Sequence, residues 1–260
     1  MLIPVGDRWA LFATALRPDL PVRTQYWIGS FDGTRFRPDD PEPRQYDMLA
    51  TLRAPSIALG PDGELFAVGI IADELQDEPM RHAAGWVHVL GLAVTLRLCP
   101  EDGLQLCAAF APGLADRFNR ALDLPPPSRS LEVDTKGKPT LLRFSVATKG
   151  EGEIKIVLRQ NGAGASGAVL TLDPVTGDAV LDYSDGPLLP LMRPARIIGQ
   201  LAPAKLTEVS LIIDGAAISG TVNGKPFGFL VFAPEPGHDT VRIETLGGAV
   251  FWQAEVRQRN

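Results

Sequence analysis

Apolar and polar residues alternate along most of this chain, in short segments that end at turn residues. Val94, Leu96 and Leu98, for example, alternate with Thr95 and Arg97. A period of two predicts strands that bury one face. From this alternation, from apolar runs and from the turn residues that bound them, we predict strands over residues 8–15, 25–29, 35–38, 55–59, 65–71, 94–98, 104–110, 154–159, 169–172, 179–183, 209–214, 217–222, 240–246 and 250–257.

Turn and helix signals divide these strands into two groups. Asp32-Gly33 and Asn223-Gly224 are dipeptides typical of hairpin turns. Leu114, Phe118 and Leu122 lie four residues apart, which predicts a short helix. This helix ends at residues 123–130, where three successive prolines stop it.

We therefore predict two all-β halves: a domain over residues 1–122, a proline-rich linker over 123–130 and a second domain over 131–260. Strands at this spacing are typical of a propeller or barrel, and next of a sandwich. The chain has 260 residues and 45% hydrophobic residues, enough to build a sizeable core.

Composition and charge exclude several classes of protein. The net charge is −6 with no basic cluster, which argues against a nucleic-acid partner. No apolar run approaches the roughly 20 residues that cross a bilayer, and the N-terminus has no secretory signal pattern. We therefore predict a cytoplasmic protein without a membrane partner. Cys99 and Cys107 flank a turn, but we expect two buried thiols rather than a disulfide.

Few residues point to catalytic chemistry. His82, His88 and His238 do not have the spacing of a zinc site, and we expect His88 to be a strand residue with a hydrogen-bonded ring. The acidic residues lie mostly in turns such as Asp32-Gly33 and Asp173-Pro174, where aspartate bonds the local backbone. We predict no metal, no cofactor and no assignable catalytic residue.

Several segments, taken in order, resemble glycoside hydrolase family 32, the invertases, levanases and other β-fructosidases. TQYWIGSFDGTRFRP (24–38) resembles the family's aromatic, Gly, Phe, Asp-Gly stretch. The segments that follow in the family's order are YDMLATLRAP (46–55), PDGELFAVGIIADE (61–74), AAGWVHVLGLAVTLRL (83–98), DGLQLCAAFAPGLADRF (102–118) and LTEVSLIIDGAAISGTVNGK (206–225). The resemblance covers nearly the whole chain.

The resemblance implies a five-bladed β-propeller followed by a β-sandwich, and cleavage of fructosides with retention by an Asp nucleophile and a Glu acid. The family's three catalytic motifs are absent from this sequence. MLIPVGDRWALF (1–12) resembles the segment that follows the last of them. We therefore expect the C-terminal portion only, the last propeller blades plus the sandwich.

Asp47 is the one site residue that the resemblance carries over, because the matching aspartate helps to line the family's sugar pocket. Leu49, Arg53 and Ile70 depart from the family's pattern around it. We therefore favour a turn or strand-end role for Asp47 over substrate binding. For Trp86 we favour core packing over a sugar platform. In 24–38 we expect Tyr26 and Ile28 on one face of a hairpin and Trp27 on the other.

Three functional hypotheses follow. The first is a truncated or split fructosidase that is inactive alone and self-associates or pairs with a chain that carries the missing blades, because uncovered blades expose apolar surface and strand edges. The second is a non-catalytic carbohydrate-binding or protein-interaction module. The third is an unrelated all-β enzyme.

Overall fold

Three antiparallel sheets form almost all of the regular structure, in a computed structural model of the chain. The description covers residues 1–15, 22–101, 103–124, 128–160, 166–191, 193–233, 237 and 239–259. The prediction of an all-β protein, with a partial propeller followed by a sandwich, is confirmed.

The first sheet, called the first blade below, takes its strands in the order of the chain. It consists of β1 (Leu2–Val5), β2 (Arg8–Ala15), β3 (Arg23–Phe31) and β4 (Phe36–Pro38), with β5 (Arg44–Gln45) paired to β3. Tyr26 and Ile28 are buried, whereas Trp27 on the opposite face is half-buried. The predicted two-faced hairpin is therefore confirmed.

The second sheet, called the second blade, is also a meander. It consists of β6 (Leu52–Leu59), β7 (Leu65–Ile71), β9 (Val94–Leu98) and β10 (Leu106–Phe110), with β8 (Val89–Leu90) paired to β7. The blades pack on each other through their buried faces, and the Tyr26 hydroxyl accepts a 3.0 Å hydrogen bond from the Leu106 amide.

A disulfide joins Cys99 to Cys107 across the β9–β10 hairpin, with 5.2 Å between their Cα atoms. The expectation of two free thiols is wrong. The hairpin brings the two residues within bonding distance, because Leu98 faces Leu106 and Arg97 faces Cys107 in the register.

Helix α1 (Glu78–Ala84) lies between β7 and β8 and was not predicted. Its signals are local ones: Asp77 caps the Met80 amide at 2.9 Å, and Gly85 ends the helix at φ 75°. None of its residues is buried, so it lacks the apolar stripe by which helices are recognised in a sequence.

The helix predicted from Leu114 to Leu122 is wrong in extent. A single 3-10 turn spans Ala115–Arg117, and the chain then forms strand β11 (Arg120–Ala121). Phe118 and Leu114 still contact the core with Ile212, because the 3-10 turn presents them to the sandwich.

The third sheet is the largest and forms the sandwich. Its strands are β11, β12 (Ser130–Asp134), β13 (Thr140–Gln160), β14 (Ala168–Leu172), β15 (Asp178–Asp182), β16 (Arg196–Gln200), β17 (Leu206–Asp214), β18 (Ala217–Val222), β19 (Lys225–Leu230) and β20 (Thr240–Gln258). β11 pairs with β20, so the sandwich sheet begins before the prolines. Residues 125–127 of the predicted linker lie outside the described residues, and the domain limits stay a prediction.

Two long strands turn this one sheet into two layers. β13 pairs with β17 over residues 140–147 and with β14 over residues 154–158. β20 follows β13 through the same corner and is one strand where two were predicted. Gly247 has φ 61° there, and a Cβ on Gly248 would overlap the Lys149 carbonyl. These glycines let both strands turn together from one layer into the other.

Candidate functional site

The segment that joins the two blades contains Asp47, the candidate sugar-pocket residue. Residues 46–51 are all buried, and they lie between the blades and the sandwich. The Met48 amide donates to the Pro226 carbonyl at 2.8 Å, and the Gln200 amide donates to the Met48 carbonyl at 3.2 Å. Gly199 allows this approach because any Cβ there would overlap the Met48 carbonyl. The segment is therefore part of the interface between blades and sandwich.

The Asp47 carboxylate is fully buried and organises the turn into β6. Its Oδ2 accepts hydrogen bonds from the Thr51 amide at 2.6 Å and from the Leu52 amide at 3.0 Å, and the Thr51 hydroxyl lies 3.3 Å away. Its Oδ1 has no hydrogen-bond partner among the described residues. These hydrogen bonds are those of an aspartate that stabilises the start of a strand. Contact between Asp47 and a sugar stays a prediction.

Burial dominates the electrostatics of Asp47. Desolvation raises the pKa of this carboxyl above its ordinary value of 3.8, and the Leu52 and Thr51 amides and the Arg193 guanidinium oppose that rise. The same burial, together with the neighbouring Asp47 charge, raises the pKa of the Tyr46 phenol. Asp47 is thus buried at a position where the charge of Arg193, a sandwich residue, favours the ionised form of its carboxyl.

Glu74 and two arginines form a buried charged cluster beside Asp47. The Glu74 carboxylate contacts the Arg53 guanidinium of β6, and its Oε2 lies 2.5 Å from Nε of Arg193. The side chains of Glu74 and Arg193 are 9% and 6% exposed. The Leu191 amide also donates to the Glu74 carbonyl at 2.6 Å. Glu74 therefore binds one cation from a blade and one from the sandwich.

Asp73 and His88 extend this cluster toward helix α1. The Asp73 carboxylate accepts from the Gln76 amide at 3.2 Å and lies 3.6 Å from Nε of Arg81. The Asp73 amide donates to Nδ1 of His88 at 2.9 Å. His88 thus has the hydrogen-bonded ring that we expected. Its expected place in a strand is wrong, because it precedes β8 with φ 77°.

Aromatic residues contribute packing. The Trp86 ring stacks on Phe232 with centroids 6.4 Å apart and contacts the core, as expected for packing. On the outer face of the first blade, Trp9 meets Phe31 edge to face at 5.1 Å, and Leu11 pairs with Trp27. The side chains that form this outer face are half-buried, namely Leu2, Pro4, Trp9, Leu11, Trp27 and Phe31.

The buried charged cluster around Glu74 is a network of ion pairs and hydrogen bonds that stabilises the fold. Its carboxylates are buried against arginines and amides, whereas retaining cleavage needs two carboxyl groups about 5–5.5 Å apart that face one glycosidic bond. Within the described residues, which do not include His238, no group of three or more His, Cys, Asp or Glu side chains has an arrangement that could hold a metal ion. No helix in the part of the chain that the structure describes has the length and apolar character to span a bilayer.

Sequence reasoning missed Glu74 and Arg193. Glu74 lies three residues after the predicted strand over 65–71, and a carboxylate close to the end of a strand is a local signal of a candidate site. Arg193 is separated from it by more than a hundred residues along the chain, and no local pattern links the two. Only the packing of the sandwich against the second blade brings them together.

Solved structures of several fructosidases share the architecture of the whole chain. The sucrose-6-phosphate hydrolase of Lactobacillus gasseri matches with a TM-score of 0.76 at 14% identity, over 100% of this chain and 54% of that chain. The exo-inulinase of Aspergillus awamori matches with a TM-score of 0.75 at 16% identity, over 100% of this chain and 56% of that chain. The chain has a fructosidase-like fold.

A glycoside hydrolase family 32 structure from Bifidobacterium adolescentis shares this fold with a TM-score of 0.73 at 12% identity, over 100% of this chain and 40% of that chain. The chain therefore spans about half the length of these enzymes and matches the partial propeller and sandwich of their C-terminal regions. At these identities the likeness concerns the fold. No family model and no curated protein matches the sequence.

Proposed function

We propose that this chain is the C-terminal portion of a β-fructosidase and that it has no hydrolytic activity alone. The observation that carries the proposal is the fold match, which includes the whole chain and about half of a sucrose-6-phosphate hydrolase and of an exo-inulinase. Fructosides are accordingly the proposed substrate class. The buried, hydrogen-bonded state of Asp47 supports the absence of a free catalytic carboxylate at that position.

We propose that the outer face of the first blade is covered by a further blade, carried by another chain or by a second copy. Blades of a propeller pack face to face around an axis. Leu11 and Trp27 lie at the centre of this face, paired across β2 and β3, and both are half-buried. Covering them removes apolar surface from water.

Hydrolysis assays test the proposal directly. The purified chain is incubated with sucrose and with inulin, alone and after co-expression with a chain that carries the family's three catalytic motifs. We expect no released fructose from the chain alone and activity from the co-expressed pair. Hydrolysis by the chain alone would overturn the proposal.

The second candidate is a non-catalytic carbohydrate-binding module, which a groove between β10 and the sandwich favours. The groove has a volume of about 840 Å³, and polar side chains line it, among them Arg97, Arg143, Glu208 and Asn223. Ligand pockets commonly have volumes of about 300–1,000 Å³. Calorimetric titration with fructose and inulin tests this candidate. Binding that Glu208→Ala weakens supports it, and the absence of heat with either sugar contradicts it.

A cytoplasmic location is part of the proposal and has its own test. The Cys99–Cys107 disulfide argues against this location, because such bonds persist in oxidising compartments and are rare in the cytoplasm. Alkylation of the protein in intact cells separates the two cases. Thiols that react in living cells support a cytoplasmic protein, and thiols that react only after reduction contradict it.

A further inference from the structure

A second pocket lies on the sandwich, on the outward face of the layer that β16, β15, β14 and the second half of β13 form in this order. The inward side chains of this layer, such as Ile156, Leu170 and Leu181, belong to the core and are at most 1% exposed. Because side chains along a strand alternate between the two faces, the residues between them point outward. The layer therefore has one face in the core and one face that a ligand can reach.

Aliphatic side chains form the floor of this pocket, called the sandwich pocket below, which has a volume of about 310 Å³. In the register Val157 lies opposite Val169, and Thr171 lies opposite Val180. Val157 is only 7% exposed although it is on the outward face, and the other three are half-buried. Ligand pockets commonly have volumes of about 300–1,000 Å³. The sandwich pocket is therefore suited to a small ligand.

Charged side chains of both signs form the rim of the sandwich pocket, namely Lys155, Arg196, Asp182 and Asp185. Asp182 of β15 lies directly opposite Arg196 of β16 in the register. Lys155 of β13 lies opposite Thr171 of the floor. The two cations and two carboxylates compensate each other, so the pocket attracts neither anions nor cations over neutral ligands.

The Asp182 carboxylate is held in place before any ligand binds. Its Oδ1 accepts hydrogen bonds from the Ser184 amide at 2.8 Å and from the Ser184 hydroxyl at 2.5 Å. These hydrogen bonds, together with the Arg196 charge, hold the pKa of Asp182 below its ordinary value of 3.8 against the opposing effect of burial. Both bonds go to Oδ1, so Oδ2 is the oxygen that can accept from a ligand. A fixed acceptor of this kind lowers the cost of binding.

The chemistry of the floor and the rim selects the class of ligand. A carboxylate only accepts hydrogen bonds, whereas lysine and arginine only donate them. A hydroxyl group does both, so neighbouring hydroxyls of a sugar can pair with Asp182 and Arg196 together. The C–H surface of a sugar ring can pack on the aliphatic floor, which removes apolar surface from water. A charged ligand must separate rim charges that already attract each other, whereas a neutral sugar leaves them in place.

We propose that the sandwich pocket binds one ring of a neutral sugar. Asp182 accepts from a ring hydroxyl, Arg196 donates to the neighbouring one, and the valines of the floor contact the ring. This site is distinct from the groove between β10 and the sandwich, because the two have no lining residue in common among the described residues. The inference needs no hydrolytic activity, so failure of the proposed function would leave it standing.

An NMR titration of the full chain tests the site in the unaltered protein. The backbone amide shifts are followed while fructose, glucose or galactose is added, with glycine as a zwitterionic probe. We expect at least one of the sugars to shift the amides of β14, β15 and β16 saturably, and glycine to shift none of them. No response to any of the three sugars, shifts confined to the groove around Glu208, or a saturable response to glycine would each overturn the proposal.

Two variants test the assigned hydrogen bonds. Arg196→Met removes the donor. Asp182→Asn keeps an oxygen that can accept from Ser184 and replaces the other oxygen by an amide group. We expect each variant to weaken sugar binding about tenfold, which corresponds to the loss of one hydrogen bond to a charged group. Arg35→Met, at an exposed position of the first blade, is the matched control and should keep the affinity of the parent chain. Parent affinity in both pocket variants would contradict the assigned contacts.

A pocket-filling variant tests the position of the ring. Thr171→Trp places a large side chain on the floor of the sandwich pocket, and because Thr171 is on the outward face the core is unchanged. We expect this variant to lose the saturable shifts and to keep a urea midpoint close to that of the parent chain. Val175→Trp, at an exposed residue between β14 and β15, is the control and should bind as the parent does. Binding by a folded Thr171→Trp variant with parent affinity would overturn the proposal. If Thr171→Trp does not fold, the Arg196 and Asp182 variants decide.

Discussion

The Glu74 carboxylate lies 2.5 Å from the Arg193 guanidinium, and this ion pair links the second blade to the sandwich. Arg53 contacts the same carboxylate from β6. Removing the negative charge leaves the buried Arg193 guanidinium and the partly exposed Arg53 guanidinium without their counter-ion, and breaking a buried pair in this way costs about 3–5 kcal/mol. We expect Glu74→Gln to lower the free energy of unfolding by this amount in urea denaturation. Glu42→Gln, at an exposed position, is the control and should change it little. Equal effects from both variants would contradict a buried role.

Stability should depend on pH through Asp47. Burial raises the pKa of this carboxyl above 3.8 in the folded chain. The folded state therefore binds the proton more tightly than the unfolded state. The contribution of the Asp47 carboxyl to the free energy of unfolding is fully present below pH 3.8, the unfolded pKa. It is lost as the pH rises through the higher pKa of the folded state. We expect the free energy of unfolding of the parent chain, relative to Asp47→Asn, to fall over that range in urea titrations. A difference that is constant or rises with pH would refute the raised pKa.

Reduction of the Cys99–Cys107 disulfide should destabilise the second blade. The bond closes a loop with a sequence separation of 8. Restricting the unfolded chain by a loop of this size contributes about 2.5 kcal/mol in the chain-entropy treatment. We expect a reducing agent to lower the melting temperature of the parent chain and to leave that of a Cys99→Ser/Cys107→Ser variant unchanged. A parent chain insensitive to reductant would argue that the bond does not form.

Gly199 should tolerate no side chain. A Cβ there would overlap the Met48 carbonyl, so Gly199→Ala pushes the segment between the blades away from β16. Overpacking of this kind costs about 1–3 kcal/mol. Gly103→Ala is the matched control, because no atom lies within 4 Å of its added Cβ. Differential scanning calorimetry of both variants checks the prediction, and a Gly199→Ala melting temperature at or above that of the control would contradict it.

Association should depend on the outer face of the first blade. Leu11 is half-buried at the centre of that face, between Leu2 and Trp27 in the register. A charged side chain at position 11 disfavours burial of the outer face of the first blade against another blade. We expect Leu11→Glu to shift the chain toward monomer in sedimentation velocity. Val175→Glu, at an exposed apolar residue of the sandwich, should leave association unchanged. A parent chain that is monomeric at all concentrations would contradict pairing with a second copy.

Alternation, apolar runs and turn residues were sufficient to locate most strands. Residues 8–15 and 94–98 were predicted with the bounds that the structure gives, because in each of them buried and more exposed residues alternate and a turn lies beside the strand. The sequence pattern did not locate the two helical segments correctly. Helix α1 has no buried residue, and Leu114 to Leu122 pack on the sandwich through a 3-10 turn. In neither case does the local pattern report the packing that decides the conformation.

The sequence by itself determined the alternation that makes this an all-β protein, the two-faced hairpin at Tyr26 and Trp27, and an ordered set of motifs that resembles the fructosidases. Tertiary structure alone decided that β13 and β20 turn the corner together. It also decided that Glu74 of the blade region meets Arg193 of the sandwich. The reason is physical: alternation is set by neighbours along the chain, whereas burial and pairing of charges depend on residues that only the packed sheets bring together.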